Sequence, residues 1–351
     1  MTLDDIIGAV RAAHDNGAPL RIRGAGSKDF YGGMLAGDPL DVSGHRGVVA
    51  YEPTELYVTA RCGTLLAEVE VALAEKGQML AFEPPRFAGA TVGGCVAAGL
   101  SGPRRQQAGA VRDFVLGIKL VDGTGQMLDF GGQVMKNVAG YDVSRFIAGS
   151  LGTLGVIAEA TLKVLPRPVA EATLEFACDE AEAIRRLNDW GARPLPISAS
   201  FWHEGRLWVR LSGAGAAVEA ACRKMGGTVA VDAEKWWNSV REQEHACFAG
   251  ATLWRLALPS TAGPLGIDGL RAVEWGGGLR WYGDEAGAEV IRAAAVAAGG
   301  HAVLYRAPES LRCLEGAFAP LPPALLALHR RLKKTFDPKG ILNPGRLYAE
   351  F

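Results

Sequence analysis

Apolar and polar residues alternate along this chain at spacings that predict both helices and strands. Ile6 and Val10 share one face of a helix over residues 2–16, which Thr2 can cap ahead of Asp5. Further along the N-terminal part, strand-like and helix-like segments follow one another. We predict a strand over 19–23, a strand over 56–60, and a helix over 65–76 that stops at Gly77.

From Asp113 onward the pattern becomes that of strands. Segments 114–121 and 126–130 flank Asp122-Gly123-Thr124-Gly125, which carries the Asp-Gly turn signal of a hairpin. Segment 155–165 alternates apolar and polar residues, which predicts a strand with one buried face. Pro166-Arg167-Pro168 then provides the best candidate for a linker.

Strand and helix patterns alternate again beyond Pro168. The predicted strands are 172–176, 252–258, 279–282 and 302–306, together with a hairpin over 201–211 that turns at Glu204-Gly205. One predicted helix ends near Trp190, and two others cover 214–225 and 286–298. These elements predict an antiparallel α+β domain. A helix near 325–335 and the turn-rich sequence FDPKGILNPGRL close the chain.

Length and composition narrow the class of protein. A chain of 351 residues predicts two domains or one large domain with an insertion. With 49% hydrophobic residues, 21% charged residues and a net charge of -1, it is typical of globular proteins and not basic enough to bind nucleic acid. Asp4 and Asp5 lie where a signal peptide would carry positive charge, and no segment has the ~20 apolar residues of a membrane span. We expect a cytoplasmic protein that reaches a membrane only through partners.

The cysteines and histidines argue against a metal site. The six cysteines are scattered without a CxxC pair, so we expect neither zinc, an iron-sulfur cluster nor a disulfide framework, and we expect each thiol to be buried or half-buried. The six histidines are isolated in the sequence and lack the spacing of metal ligands. We therefore predict no metal.

Two glycine-rich loops carry the chemistry. The first, RGAGSK, consists of Arg23, Gly24, Ala25, Gly26, Ser27 and Lys28. Glycine lets consecutive peptide N–H groups curve around an anion such as a phosphate, and Ser27 adds a hydroxyl donor. Taken alone, this loop is equally consistent with a structural turn that binds nothing.

The second loop strengthens the case for a phosphate ligand. Glu83-Pro84-Pro85 precedes GATVGG at 89–94, and the small-residue run Cys95–Gly99 follows with Ser101-Gly102. This run predicts a helix N-terminus, where free N–H groups and the helix dipole favour an anion; a close helix-helix crossing is the alternative. Neither a Rossmann GxGxxG motif with its acidic residue nor a Walker loop is present.

Taken together, these segments resemble a known family. RGAGSKDFYGG, the stretch from YEPTELYVTA to GATVGGCVAAGLSG, and VRDFVLGIKLVDGTGQMLDFGGQVMKNVAGYDVSRFIAGSLGTLGVIAEATLKVLP are similar to the FAD-binding domain shared by vanillyl-alcohol oxidase and p-cresol methylhydroxylase (PCMH-type). The resemblance covers about Leu3–Pro168, and FDPKGILNPGRLY fits it. Within that family, KNVAGYD, GSLGTLGVI and the short chain resemble the FAD-binding subunits (E subunits) of bacterial glycolate oxidases.

The resemblance implies an α+β fold in which two α+β subdomains of a PCMH-type domain bind FAD under an antiparallel α+β cap. It implies a FAD-binding domain over 1–168, a cap over 169–310, and a C-terminal segment over 311–351 that returns to the FAD domain. Family members that attach FAD covalently use a histidine just after the first loop. This sequence has Ser27-Lys28-Asp29 there, which implies noncovalent FAD.

Carried over from the family, the cofactor contacts fall in six parts of the sequence. The expected FAD-binding residues are Arg23, Gly24, Ala25, Gly26, Ser27, Lys28, Pro84, Thr91, Val92, Gly93, Gly94, Gly99, Ser101, Gly102, Gly109, Gly155, Ile157, Asn343 and Arg346. Of these, 23–28 and 91–94 would hold the pyrophosphate, Gly155 and Ile157 would lie at the adenine end, and Asn343 with Arg346 would lie near the flavin.

The implied activity is oxidation of glycolate, or of a related small 2-hydroxy acid, to the oxo acid within a complex. The related dehydrogenases hold a metal beside the substrate with clustered histidines, which this chain lacks. The resemblance therefore implies a subunit that works with a larger FAD-containing catalytic subunit and an iron-sulfur subunit. The alternatives are a self-sufficient flavin dehydrogenase and a structural module without catalysis of its own.

Catalytic residues are harder to assign. A 2-hydroxy-acid dehydrogenase needs a cation for the carboxylate and a base for the hydroxyl proton. Predicted cap strands carry candidates for these tasks, namely Arg280, His301 and Arg306, with Arg255 and Tyr305 beside them. For each, a surface ion pair or an ordinary packed position is the competing interpretation. Lys136 and Tyr141 are further candidates, or else they fix a loop under the flavin.

Overall fold

In the computed structural model, which describes residues 1–132 and 142–351, strands before residue 168 and strands after it belong to different sheets. We call residues 1–168 the N-terminal unit and residues 169–310 the cap. The strands are β1 Leu20–Arg23, β2 Asp38–Asp41, β3 Val48–Glu52, β4 Tyr57–Arg61, β5 Gln78–Met79, β6 Val115–Val121, β7 Met127–Gly131, β8 Val156–Lys163, β9 Leu165–Pro166, β10 Ala170–Ala177, β11 Ile197–His203, β12 Arg206–Gly213, β13 Thr228–Val229, β14 Leu253–Ala257, β15 Leu270–Glu274, β16 Leu279–Tyr282 and β17 His301–Arg306.

The α-helices begin and end close to the predicted positions where the apolar pattern is long. They are α1 Leu3–Asn16, α2 Leu66–Ala74, α3 Val92–Ala98, α4 Arg105–Ala108, α5 Val111–Phe114, α6 Val143–Ile147, α7 Glu180–Gly191, α8 Gly215–Met225, α9 Ala233–Arg241, α10 Ala288–Ala297, α11 Glu309–Glu315 and α12 Pro323–Phe336. In α1, Thr2 and Asp5 form the expected reciprocal cap, and Gly17 ends the helix in a left-handed conformation. Among the described residues, no helix is long and apolar enough to cross a lipid bilayer.

The N-terminal unit is organised around an antiparallel sheet in the order β3-β4-β8-β6-β7. Strand β8 lies at its centre and is buried along nearly its whole length, so the prediction of one exposed face was wrong. The polar residues that suggested alternation pair inside the sheet: Thr161 shares a 2.8 Å hydrogen bond with Thr59, and Glu159 forms an ion pair with Lys119. Helices α1, α2 and α3 supply side chains to the core beside this sheet.

The cap is an eight-stranded antiparallel sheet in the order β13-β10-β12-β11-β15-β16-β14-β17. Its β11–β12 hairpin turns at Glu204-Gly205, where both residues have positive φ angles of 45° and 77°, as a two-residue hairpin loop requires. Sequence patterns did not predict β2, β3, β15, α9 or α11. The predicted linker is partly a strand, because β9 pairs with β5 and the Arg167 N–H donates to Gly77.

Two sets of contacts join the cap to the N-terminal unit. One is an apolar and aromatic cluster in which Tyr31, Leu100 and Leu151 of the N-terminal unit pack with cap residues such as Trp281 and Tyr305. The other is a buried ionic network centred on Glu83, whose carboxylate lies 2.7 Å from Arg210 and 3.4 Å from Arg104. Arg104 in turn lies 2.6 Å from Glu171 of the cap.

The C-terminal segment returns to the first strand of the molecule. Leu20 donates its N–H to Ile341, and Asn343 donates its N–H to Leu20, so residues 341–343 extend the edge beside β1. The ammonium of Lys333 at the end of α12 is buried, where it bonds Asp337, Thr153 and Leu342 at 2.7–2.8 Å. This return brings the NPGR sequence next to the first glycine loop.

Candidate functional site

An elongated cleft lies between the first glycine loop, α3, the 151–157 segment and the C-terminal return. It encloses about 870 Å³ of empty space, open solvent included. Thirteen of the predicted cofactor residues line it, namely Arg23, Gly24, Ala25, Gly26, Ser27, Lys28, Thr91, Gly93, Gly94, Gly155, Ile157, Asn343 and Arg346. Segments that are more than 300 residues apart in sequence are thus brought to one site.

The first loop presents unpaired main-chain donors. The backbone N–H groups of the five consecutive residues 24–28 donate to no other residue in the described parts of the chain. Gly26 has a φ of +73°, and a Cβ there would lie 2.3 Å from the Arg23 guanidinium, which stacks against it and pairs with Asp29. Glycine is therefore required where the loop curves. Consecutive amides on a curved loop form an anion site.

Cationic side chains surround these amides. Four basic residues and one acidic residue line the cleft. The Arg21 Nε is buried without a hydrogen-bond partner, and Lys28 forms no ion pair within the described structure but lies 5.6 Å from the centre of the Phe87 ring. Burial lowers the pKa of Lys28. Arg21 was missed in the sequence, although its position two residues before Arg23 on a strand places both arginines on one face.

Arg346 and Asn343 hold the walls of the cleft in place. Arg346 donates to the carbonyl oxygens of Gly33 and Lys28. Burial, reinforced by nearby Arg312, lowers the pKa of Arg346 to about 10. The Asn343 side chain accepts from the Ile22 N–H at 2.7 Å and donates to the Leu151 carbonyl at 2.6 Å. The amide of Asn343 therefore fixes the position of two cleft walls.

The expectation of free N–H groups at the start of α3 was wrong. Val92 donates to Thr64, Gly93 donates to Cys62, and the Gly94 N–H donates to the Thr91 side chain at 3.2 Å. The helix instead contributes a surface made of small residues. A Cβ on Gly93 would lie 2.6 Å from the Cβ of Cys62, so glycine allows the helix to pack against the core. The run of consecutive unpaired amides described above therefore lies in the first loop and not at the start of α3.

Six predicted cofactor residues do not line this cleft: Pro84, Val92, Gly99, Ser101, Gly102 and Gly109. Val92 is fully buried in the core. The carbonyl of Pro84 accepts from Arg241, and Gly99 ends α3 with a φ of +68°. Gly109 also has a positive φ, and a Cβ there would lie 3.0 Å from Asp113. Gly155 does line the cleft, but a Cβ there would meet Leu120 at 2.6 Å, so packing requires this glycine.

Ser101 and Gly102 line a second, smaller space between the N-terminal unit and the cap, which we call the chamber. It contains about 330 Å³ of empty space, open solvent included. From the cap, its walls include Gln243, Arg255, Glu274, Trp275, Trp281 and Tyr305. The Trp275 indole N–H donates to the Gly102 carbonyl at 3.1 Å, which closes one side. Chamber and cleft lie at opposite sides of the turn at Gly99, since Ala97 and Ala98 line the cleft and Leu100 lines the chamber.

The chamber contains a buried carboxyl group. Glu274 accepts a hydrogen bond from the Trp281 indole at 2.6 Å, and burial raises the pKa of Glu274 to about 7. Arg255 stacks on the Trp275 ring at 5.0 Å and forms no hydrogen bond to any described residue. The chamber thus pairs a cation that has free donors with a carboxyl group that changes charge near neutral pH.

Arg280, His301 and Arg306, the three catalytic candidates predicted from the sequence, lie outside the chamber. Arg280 is fully buried, and its guanidinium bonds Glu180 and the carbonyls of Ala262, Gly263 and Gly277. The prediction that Arg280 binds substrate was therefore wrong, and its role is structural. His301 is exposed at the start of β17 and lines neither cavity. Arg306 bonds the Phe248 carbonyl at 3.0 Å and lies 5.3 Å from the Phe30 ring, also outside the chamber lining. Lys136 and Tyr141 lie outside the described residues.

Cysteines and histidines show two departures from expectation. Cys313 is exposed, whereas we expected every thiol to be at least half-buried. The rings of His203 and His245, far apart in sequence, lie with centroids 5.2 Å apart. Even so, the described residues contain no group of three or more His, Cys, Asp or Glu side chains able to hold a metal ion.

Comparisons with known proteins show which family models and which proteins this chain resembles. Residues 1–131 match the family model described as FAD binding domain, and residues 320–347 match the model described as FAD linked oxidases, C-terminal domain. Over 343 residues, the chain is 46% identical to glycolate oxidase subunit GlcE of Escherichia coli (strain K12), covering 97% of this chain and 96% of that protein.

Other similarities cover a smaller part of the compared protein, or have so low an identity that they show the fold alone. Glycolate oxidase subunit GlcD of Bacillus subtilis (strain 168) is 29% identical over 164 residues, which is 46% of this chain and 35% of that one. A crystal structure of p-cresol methylhydroxylase with substrate bound superposes with a TM-score of 0.70 at 14% identity, covering all of this chain and 89% of the other. The α+β fold with a PCMH-type FAD-binding domain is thereby confirmed.

Proposed function

The chain belongs to the family of FAD-linked oxidases that includes glycolate oxidase subunit GlcE, and on this premise we propose that it is the FAD-binding subunit of a glycolate oxidase complex. The cofactor is FAD, and the reaction class is oxidoreduction of CH–OH groups. We propose glycolate, converted to glyoxylate, as the substrate of the assembled complex.

The observation that carries this proposal is the run of five unpaired amides at 24–28 inside a cationic cleft. FAD has a pyrophosphate, and its two charges fit a site with unpaired N–H groups, the Lys28 ammonium and the partnerless Nε of Arg21. The small residues Gly93, Gly94, Ala97 and Ala98 allow a large ligand to lie against α3. We propose that these residues hold the cofactor, which supplies two-electron transfer when bound.

We propose that this FAD is held without a covalent bond. None of the described residues that line the cleft is a histidine, and its one cysteine is a poor nucleophile. Burial raises the pKa of the Cys62 thiol to about 12, and that thiol is directed toward the Val42 carbonyl. A neutral thiol does not attack a flavin methyl group, so acid precipitation should release all of the flavin.

The partners we propose are a larger FAD-containing catalytic subunit and an iron-sulfur subunit, with assembly in the cytoplasm and membrane contact only through these partners. Support comes from the relative GlcE, which is named as a subunit, and from the absence of a clustered metal site among the described residues. A self-sufficient dehydrogenase is the second candidate. The observation that favours it is the chamber, where Arg255 and Glu274 lie together.

The test is purification of the tagged chain from its native cell, with partners identified by mass and flavin counted per chain. We expect one acid-extractable FAD per copy of this chain, two partner subunits, and glycolate-dependent reduction of a dye. A colourless chain that takes up no FAD after refolding would contradict the proposal. Anaerobic glycolate should bleach the flavin of the complex; bleaching of the isolated chain would favour the second candidate.

A further inference from the structure

Helix α12 buries very little of its own surface. Of its 14 residues only Lys333 is buried, and nine are exposed. The exposed residues form two groups along the helix axis, since those of the first half are all apolar and those of the second half are cationic except for one threonine. They are Pro323, Ala324, Leu325, Ala327 and Leu328, followed by Arg330, Arg331, Lys334 and Thr335.

The apolar group consists of neighbours on the helix surface. Leu325 and Leu328 are 47% and 46% exposed and lie three residues apart, so their side chains are adjacent. Ala324 and Ala327 lie beside them, and such small side chains let another molecule approach the helix closely. A single exposed leucine is ordinary, but adjacent exposed apolar residues on one helix mark an interaction site.

The cationic group lacks counterions. Helix α12 contains no aspartate or glutamate, and the side chains of Arg330, Arg331 and Lys334 have no hydrogen bond or ion pair with any described residue. Because these residues are one to four positions apart, their positive charges repel one another. Carboxylates supplied by another molecule would relieve this repulsion.

Resting on the proposed function, we propose that α12 binds an acidic surface of a partner subunit. Apolar side chains of that subunit cover Leu325 and Leu328, and its carboxylates pair with the cationic group. Lys333 fixes α12 relative to the cofactor cleft, because its ammonium bonds the carbonyls of Thr153 and Leu342, which belong to two cleft walls. A subunit bound to α12 is thereby held in a defined position relative to the cleft.

Two other occupants fit this surface less well. A second copy of the chain would bring its own α12 against the first, so that cations would face either cations or leucines. A helix that lies on a lipid bilayer keeps one face apolar along its whole length. In α12, Leu328 and Arg331 are three residues apart and share a face, so a flat bilayer would meet a charge beside the leucine.

The experiment is co-purification of the tagged full chain from its native cell, in wild-type form and as two double variants of α12. One variant combines Leu325→Gln with Leu328→Gln, and the other combines Arg331→Glu with Lys334→Glu. We expect each to lower the recovery of a partner subunit about tenfold. The FAD content per chain should stay unchanged, because none of these residues lines the cleft. Wild-type recovery should fall in about 1 M salt, which screens the charges.

Cross-linking of the wild-type complex tests the chemistry of the partner surface. A carbodiimide joins a lysine to a carboxylate that it contacts, without adding a spacer. We expect a cross-link from Lys334 to an aspartate or glutamate of a partner subunit, located by mass spectrometry. A partner that is cross-linked to this chain only through other lysines would overturn the inference.

Val296→Gln on α10 and Lys224→Glu on α8 are the matched controls. Val296 is an exposed apolar residue, and Lys224 is an exposed cation without a partner in the described chain. Neither substitution should change partner recovery. Full recovery with both α12 variants would overturn this inference alone, whereas a wild-type chain that binds no partner would overturn the proposed function as well. Sedimentation of the isolated chain with phosphatidylglycerol vesicles, lost in Arg331→Glu with Lys334→Glu, would overturn the inference in favour of lipid.

Discussion

Individual residues around the cleft divide into ligand-facing donors and residues that hold the backbone. Asn343 and Arg346 belong mainly to the second group, since their polar atoms bond the main chain of Ile22, Leu151, Gly33 and Lys28. Lys28 belongs to the first group. Within the described chain, its ammonium has one hydrogen bond, to the Ser27 hydroxyl at 3.4 Å, and no carboxylate partner.

We expect Lys28→Gln to weaken FAD binding about tenfold, which corresponds to about 1.4 kcal/mol, because one charge-assisted hydrogen bond to a phosphate is lost. Affinity of the wild-type chain should also fall as pH rises through the lysine pKa, at lower pH than for an ordinary lysine, because burial lowers that pKa. Flavin fluorescence titration measures both effects. Lys224→Gln on the exposed end of α8 should change neither; equal losses in both variants would contradict the assignment.

Glycine positions show which parts of the site a sequence can reveal. Residues 23–28 and the NPGR return were predictable because glycine-rich loops have a direct chemical meaning, and the family resemblance joined them. The chamber was predictable only in part: Arg255 and Tyr305 were candidates, but Glu274 lies on β15, which sequence patterns did not predict, and the sequence does not show that β14 and β15 belong to one sheet. Arg280 illustrates the same limit, since the sequence around it does not show that its guanidinium is already hydrogen-bonded inside the cap.

Among secondary-structure elements, α3 has the most direct influence on the cleft. It is short, and its first turn depends on the Thr91 hydroxyl, which accepts from the Gly94 N–H. The same side chain lies against the first loop, because a Cβ on Gly24 would meet the Thr91 hydroxyl oxygen at 2.6 Å. One residue thus caps the helix and supports the loop.

Thr91→Ala should lower the free energy of unfolding by about 1 kcal/mol through loss of the cap, and should also weaken FAD binding. Thr91→Ser keeps the hydroxyl and should restore most of both. Thr2→Ala is the matched control, because Thr2 caps α1 and does not line the cleft. Urea denaturation and flavin titration would separate the two effects: weaker FAD binding in Thr2→Ala as well would show that general stability, and not the loop, controls affinity.

Long elements with one dominant period, such as α1, α7 and the β11–β12 hairpin, were predictable from the sequence alone. Strands β2 and β3 were missed because exposed and half-buried residues make up most of them, so neither has a clear apolar face. Helix α9 was missed because its two adjacent tryptophans obscure the helical period. Strand β8 was found, but its burial on both faces comes from its neighbours in the sheet, which local sequence does not encode.

At the scale of the whole molecule, the Glu83 network joins the two units. Burial alone would raise the pKa of Glu83, but the guanidinium groups of Arg210 and Arg104 outweigh it and hold the pKa below its ordinary value. A depressed carboxyl pKa stabilises the fold above the unfolded-state pKa, and this contribution is lost as pH falls through the folded-state pKa. The junction should therefore weaken in acid.

Glu83→Gln should destabilise the protein by about 3–5 kcal/mol near neutral pH, because two buried guanidinium groups lose their shared carboxylate. It should also flatten the loss of stability in acid, which occurs as pH falls through the lowered pKa at which wild-type Glu83 gains a proton. Chemical denaturation across pH measures both effects. Glu219→Gln on an exposed pair with Arg223 should leave the profile unchanged. A wild-type slope that persists in Glu83→Gln would assign acid sensitivity to other groups.

The C-terminal return to β1 sets an order of events during synthesis. Leu20 leaves the ribosome more than 300 residues before its partners Ile341 and Asn343. Domains tend to fold as they emerge, so the sheet of the N-terminal unit can form early while one wall of the cleft is still missing. Flavin insertion should then be a late event, and a nascent chain arrested before residue 341 should carry no bound flavin.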